Sequence, residues 1–184
     1  MGNLGPKWIR PISSSEHGEI DTNLVSHINL LDIVEIDGIN PLGSGHQSEN
    51  AFYAESSIQV VGTYPRTELD ILCENERPLI FGNKGKAVAQ DAIFRLHHSL
   101  LLIRVNDFEF KIVSPEWNSD RIQSRLVFSY KANQYDFAIT DPAFLEKFEN
   151  DPECIAGVKE LFITLSLALN LNDWYSKLVA GIIY

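Results

Sequence analysis

Cysteine is scarce in this chain of 184 residues: only Cys73 and Cys154 occur, far apart and outside any Cys-x-x-Cys pair. That spacing gives neither a zinc-ribbon pattern nor a disulfide framework, so a reduced, cytoplasmic setting is expected. Long apolar runs are missing as well. The longest, Leu161 to Leu171, is interrupted by Thr164, Ser166 and Asn170. It falls short of the roughly 18–20 residues that cross a bilayer, so no membrane association is expected. The first residues lack the basic, apolar and small-residue succession of a signal peptide.

Catalytic signatures are absent too. There is no Gly-x-Ser-x-Gly, no His-Glu-x-x-His and no kinase-type set. Gly82-Asn83-Lys84-Gly85-Lys86 lacks the Gly-x-x-x-x-Gly-Lys-Ser/Thr order of a phosphate loop and reads as a turn. His97 and His98 are adjacent, and on a strand their rings would face opposite ways, which disfavours a shared metal. Ser13-Ser14-Ser15 beside Glu16-His17 does not make a triad, whose members converge in space from distant positions. No catalytic residue, no metal and no cofactor is therefore expected, and the balance leans away from an enzyme.

Positive charge is the remaining shortage. Fifteen Lys and Arg face 25 Asp and Glu, for a net charge of −10. The deficit is uneven: residues 1–76 carry 3 basic and 12 acidic groups, 77–131 carry 9 and 5, and 132–184 carry 3 and 8. Only the middle segment can present a basic patch. Any nucleic-acid binding is thus expected to be weak and sensitive to salt.

What is present is a pair of motifs near the two ends. Lys7-Trp8-Ile9-Arg10-Pro11-Ile12-Ser13 and Trp174 to Ile183, with Lys177, each place a cation and aromatic rings inside an apolar, strand-like run. A cation there is costly to bury unless partnered. These two segments are expected to meet in space. Between them, Leu30 to Ile36 ends at Asp37-Gly38, and Ser57 to Tyr64 is β-rich. Ser99 to Val105 carries Arg104 in an apolar strand, with Phe108 to Val113 as its return after Asn106-Asp107. Arg121 to Lys131 and Tyr135 to Thr140 form a hairpin through Asn133-Gln134, and Leu161 to Leu169 and Ser176 to Ile183 are the final strands. Short helices are expected at 67–74, 88–96 and from Asp141-Pro142 to about Phe148, the last as N-cap and first-turn proline. Many short strands with few helices indicate a mainly β chain, a β-rich α+β barrel or sandwich.

The ordered set formed by residues 7–13, 30–36, 46–50 (His-Gln-Ser-Glu-Asn), 99–104, 135–142 (Tyr-Asp-Phe-Ala-Ile-Thr-Asp-Pro) and 177–180 resembles the prokaryotic dual OB-containing domain family. The resemblance runs from about residue 7 to the end. It implies two fused OB-like small barrels with short helices, in one unit over 1–184. The internal boundary is expected near 98 (1–98 and 99–184), with the termini interleaved. Members of that family carry a strand or more ahead of the Trp-Ile-Arg-Pro motif, whereas six residues precede Lys7 here. An unfinished N-terminal edge follows, to be covered by a second copy, a protein partner or an internal loop.

OB-like barrels bind nucleic acids, oligosaccharides or proteins on a sheet face. The expected function is a non-enzymatic binding module for nucleic acid, or for a partner that handles it. One alternative is an interaction or assembly subunit of a multi-protein complex, such as a defence complex. Another is a nucleotide sensor or enzyme with its site between the barrels. The candidate ligand-binding residues are Trp8, Arg10, His46, Gln47, Asn50, Arg104 and Lys177. Arg supplies a bidentate fork and Lys a point charge. The loop amides and imidazole supply directed hydrogen bonds. Against this stands a structural role for the cations as ion pairs, with Asp32 or Asp141 as possible partners. The rings of Trp8, Tyr64, Tyr130, Tyr135, Trp174 and Tyr175 either stack on bases or fill the core.

Overall fold

The alternation read from the sequence becomes strand after strand in the computed structural model, which describes residues 7–15, 18–53, 58–114 and 122–184. The chain divides into two units, Met1–Leu72 and Cys73–Tyr184. The first holds β1 (Arg10–Ile12), α1 (Thr22–Val25), β2 (Asp32–Ile36), β3 (Ile39–Pro41), β4 (Asn50–Tyr53) and β5 (Ile58–Thr63). β1 lies parallel to β4, which pairs antiparallel with β3, while β2 and β5 form a separate antiparallel ribbon.

The second unit holds β6 (Ala87–Ala89), β7 (Leu100–Val105), β8 (Phe108–Val113), β9 (Gln123–Tyr130), β10 (Asn133–Ile139), α2 (Pro142–Asn150), β11 (Leu161–Leu167) and β12 (Trp174–Ile183). Its sheet runs β7-β11-β12-β10-β9-β8, with β6 on β12. All of these pairings are antiparallel except β10 with β12. β7 and β8 are consecutive in the chain, joined at Asn106-Asp107, yet they occupy opposite edges of the sheet. Taken as one bent strand, they make the order 1-2-3-5-4-1, with α2 between the third and fourth strands. That is the Greek-key order of a partly open OB barrel. No ladder joins β7 to β8 among the described residues, so chain continuity, not hydrogen bonding, links the edges.

Alternation explains the core of this unit. Leu126, Phe128 and Tyr130 of β9 and Tyr135, Phe137 and Ile139 of β10 point inward, to meet Leu101, Ile103, Ile163, Leu165 and Val179. Asp141 is the N-cap of α2, its Oδ1 accepting from the Phe144 N–H at 3.1 Å. Phe144 then stacks on Phe110 at 5.1 Å between ring centroids.

β1 pairs with β4, and β12 with β6, β10 and β11, so the terminal strands lie in different sheets. The division falls after Leu72, with residues 73–98 bonded into the C-terminal sheet: the Glu74 N–H donates to the Leu102 carbonyl at 2.8 Å, and β6 pairs with β12. Three expectations are corrected. The helix expected over 88–96 is instead β6 and a single 3-10 turn at Ile93–Arg95, since Val88 is drawn into a ladder opposite Tyr175. β8 returns onto β9 rather than β7, and the β9–β10 turn is Lys131-Ala132, closed by the Tyr130–Asn133 pair.

Candidate functional site

The expected anchors divide between the units: Trp8, Arg10, His46, Gln47 and Asn50 in the first, Arg104 and Lys177 in the second. In the first unit the parallel β1–β4 register sets Arg10 opposite Asn50. The Arg10 N–H donates to the Glu49 carbonyl at 2.8 Å, Arg10 Nη1 donates to Asn50 Oδ1 at 3.3 Å, and Nη2 lies 3.4 Å from Glu49 Oε1. Asn50 Nδ2 in turn donates to Gln47 Oε1 at 3.4 Å. The loop that delivers these groups turns tightly at Gly43, whose N–H donates to the Asn50 carbonyl at 2.8 Å. A Cβ at Gly43 would lie 2.3 Å from the Gln47 carbonyl oxygen, so only glycine fits there.

The cluster is anchored by Glu49, whose side chain is only 2% exposed. Sequence reasoning singled out Arg10 and the loop amides but not Glu49, and named Asp32 and Asp141 as ion-pair partners instead. Burial pulls the Arg10 guanidinium below its ordinary value and Glu49 works against it. Burial likewise lowers His46, with Glu49 opposing and Arg10 reinforcing, so His46 is neutral at pH 7. The result is a rigid polar knot with one cation, one carboxylate and a neutral imidazole. Trp8, just before it, is half-buried.

In the second unit Lys177 is 2% exposed. Its Nζ donates to the Ile80 carbonyl at 2.7 Å, the Asn83 carbonyl at 2.8 Å and Asn83 Oδ1 at 3.0 Å, using all three of its donors. The rings of Tyr135 and Phe137 lie 5.9 and 5.8 Å away. Burial pushes the ammonium down to about 7, and the three oxygens, which need N–H donors, oppose that push. Lys177 thus clamps the turn that contains Phe81 and Gly82, both at positive φ (46° and 76°). Arg104 is exposed on β7, its backbone N–H donating to Asn75 Oδ1 at 3.2 Å.

Tyr130 and Tyr135 are buried and belong to the core. The outward face of β9 and β10 carries instead a satisfied charge network: Asp136 meets Lys86 Nζ at 2.8 Å and Arg125 Nη2 donates to its carbonyl at 2.7 Å. Exposed apolar surface lies where the loop after β11 enters β12: Leu169 and Leu171 are 62% and 72% exposed, and Trp174, the first residue of β12, is 53% exposed. The β6–β12 ladder sets Trp174 opposite Ala89 and Ser176 opposite Ala87, and Asn170 Nδ2 bonds Gln90. The loop is thereby tied to the turn that carries Lys84 and Lys86. Lys84 is exposed and makes no ion pair among the described residues.

Among the described residues, no three His, Cys, Asp or Glu side chains gather as metal ligands, and no helix is long and apolar enough to cross a membrane. A family model described as Dual OB-containing domain matches residues 2–182, nearly the whole chain. Comparison with curated proteins and with solved structures returns no match.

Proposed function

This chain belongs to the dual OB-containing domain family, and on that premise we propose that it is a non-enzymatic module that binds single-stranded nucleic acid through its second unit. The observation that carries this reading is the exposed Trp174 loop joined by the β6–β12 ladder to the Lys84–Lys86 turn. OB barrels use the loop between their fourth and fifth strands for ligands, and β11 and β12 hold those places in the strand order. A stacking ring beside cations is what a sequence-tolerant single-strand site needs. The basic segment 77–131 lies wholly in this unit. Arg104 adds an exposed cation, while Lys177 acts indirectly by holding the turn. In the first unit the Arg10–Glu49 knot supports its loop.

The test is a titration with single- and double-stranded probes at low and physiological salt. The single strand is expected to bind better and to weaken steeply as salt rises. Trp174→Ala is expected to lower affinity about tenfold, the worth of roughly one stacked base. No binding to either probe at low salt would sink the reading. In that case assembly with a protein or a second copy becomes the preferred role. β1 supports that second reading, since β4 is its sole strand partner among the described residues. Light scattering and native mass spectrometry of protein from its own host would reveal such an assembly.

A further inference from the structure

We propose that the cleft between the 77–82 and 95–98 segments of the second unit binds a single phosphorylated nucleoside, either free or at the phosphorylated end of a strand. The cleft is about 540 Å³, the size of a small-ligand site. Arg77, Arg95, His97 and His98 bring nitrogen donors to it, and Leu79, Phe81 and Leu96 bring apolar surface. No Asp or Glu lines it, although the chain carries a net charge of −10. A cationic rim over an apolar floor asks for a ligand with both an anionic head and a flat apolar body. A bare anion satisfies only the rim.

Arg95 is the cation available for the anion. It is exposed, its guanidinium makes no hydrogen bond or ion pair among the described residues, and it sits 5.6 Å from the ring centroid of Phe94, itself 69% exposed. A guanidinium left free in this way offers its planar fork to two phosphate oxygens. Arg77 is already oriented, with Nε 2.7 Å and Nη2 2.6 Å from Glu74 Oε2, and keeps further donors for the ligand.

The walls are fixed before any ligand arrives. The Tyr130 hydroxyl, on a residue 5% exposed, donates to the Arg77 carbonyl at 2.7 Å. Lys177 holds Ile80 and Asn83, at the other end of the same segment. Between these clamps Phe81 stays in a left-handed conformation at φ 46°, and its ring lies 5.8 Å from His98. Such strain persists only where the surroundings over-determine it, and a preset wall lowers the ordering cost of binding. The cleft shares no lining residue with the Trp174 loop, so this proposal stands or falls apart from strand binding by that loop.

Calorimetric titration of the full chain with AMP, CMP and inorganic phosphate tests it. A nucleoside monophosphate is expected to saturate one site, with inorganic phosphate at least about tenfold weaker, because phosphate lacks the apolar body. Arg95→Ala, at an exposed position, is expected to keep the far-ultraviolet circular dichroism of the native chain and to weaken nucleotide binding about tenfold or more. Lys159→Ala, an exposed cation outside the cleft, is expected to leave it unchanged. A 5′-phosphorylated oligothymidylate that outbinds its unphosphorylated form in an Arg95-dependent way identifies a strand end as the source. Equal binding of the two oligonucleotides, with Arg95-dependent binding of the monophosphate, identifies a free nucleotide. Three results overturn the proposal: no saturable binding of either monophosphate, phosphate binding as tight as the nucleotide, or full affinity in Arg95→Ala.

Discussion

The Lys177 ammonium lies 2.7 Å from the Ile80 carbonyl oxygen, across 97 residues of sequence, with no carboxylate among its hydrogen-bond partners. A buried cation held by carbonyl and amide oxygens is a clamp on backbone, and it fixes one wall of the cleft. Lys177→Met keeps the length of the stem but leaves the Asn83 carbonyl without its donor, while Asn83 Oδ1 keeps the Gly85 N–H at 2.7 Å and the Ile80 carbonyl keeps the Asn83 N–H at 3.4 Å. A buried acceptor left unpaired costs about 1–3 kcal/mol, so a loss in that range is expected in denaturant unfolding. Amide exchange should quicken most at 80–83. A variant as stable as the parent would show that the clamp carries no weight.

The same residue predicts a pH effect. Burial lowers the folded value to about 7, against about 10.5 in the unfolded chain. Between those values the unfolded chain holds a proton that the folded chain has released. Stability therefore rises with pH across that window, and Lys177→Met loses the rise. Nitrogen-detected NMR of the lysine side chains should find one resonance titrating near neutrality. A Lys177 resonance that titrates with the other lysines would refute the shift.

Glu49 governs the polar knot of the first unit. Its carboxylate raises His46 while burial, the larger influence, lowers it. Glu49→Gln should therefore move the His46 titration further below its ordinary value, a shift that proton NMR reads directly. The sign for stability follows from the depressed value. Above about 6.5 both states are neutral and the contribution is complete. As pH falls, the unfolded chain takes the proton first and stability is lost. A His46 titration above 6.5 in the parent protein would contradict the geometry.

Much of this was legible in the sequence where the controlling physics is local. Asp141-Pro142 announced α2 because a side-chain cap and a proline at the first turn need only neighbouring residues. The strands β2, β9, β10 and β12 were visible in their alternation, and the cation of Lys177 stood out in an apolar run. What stayed hidden depends on pairing at a distance. Residues 88–96 look helical in isolation, and only the ladder with Trp174–Ser176 makes Ala87–Ala89 a strand. The Lys131-Ala132 turn was missed because Lys131 adopts φ 52° without being a turn-forming residue type. Glu49 is one acid in a polar loop, and nothing in its neighbours announces that parallel pairing with β1 will bury it. Lys177 was singled out, but its partners are backbone oxygens, which leave no trace in a sequence.

β12 should be indispensable to the second unit. It pairs with β6, β10 and β11 at once, and Val179 and Ile182 are buried in the core. Removing residues 178–184 deletes both the parallel ladder with β10 and most of the β11 ladder. The truncated chain is expected to lose near-ultraviolet circular dichroism and cooperative unfolding. A truncated protein that still unfolds cooperatively would show that the sheet can close without its fifth OB strand.

Asp141 links α2 to that strand, and its two oxygens can be separated by mutation. Oδ1 accepts from the Phe144 N–H at 3.1 Å and Oδ2 from the Ile182 N–H at 2.9 Å, with the residue 4% exposed. Asparagine has one carbonyl oxygen and an amide that only donates, so Asp141→Asn can keep one bond but not both. Alanine keeps neither. Helix caps and buried hydrogen bonds are each worth about 1–2 kcal/mol. Stability should therefore fall in two steps, from Asp141 to Asn and from Asn to Ala, each of about that size in urea unfolding. Loss of the Phe144 cap should fray α2 and loosen Phe110 and Phe148 on the Phe144 ring, which aromatic NMR shifts would report. If Asp141→Asn and Asp141→Ala were equally stable, the second bond to β12 would carry no weight, and the residue would be a helix cap alone.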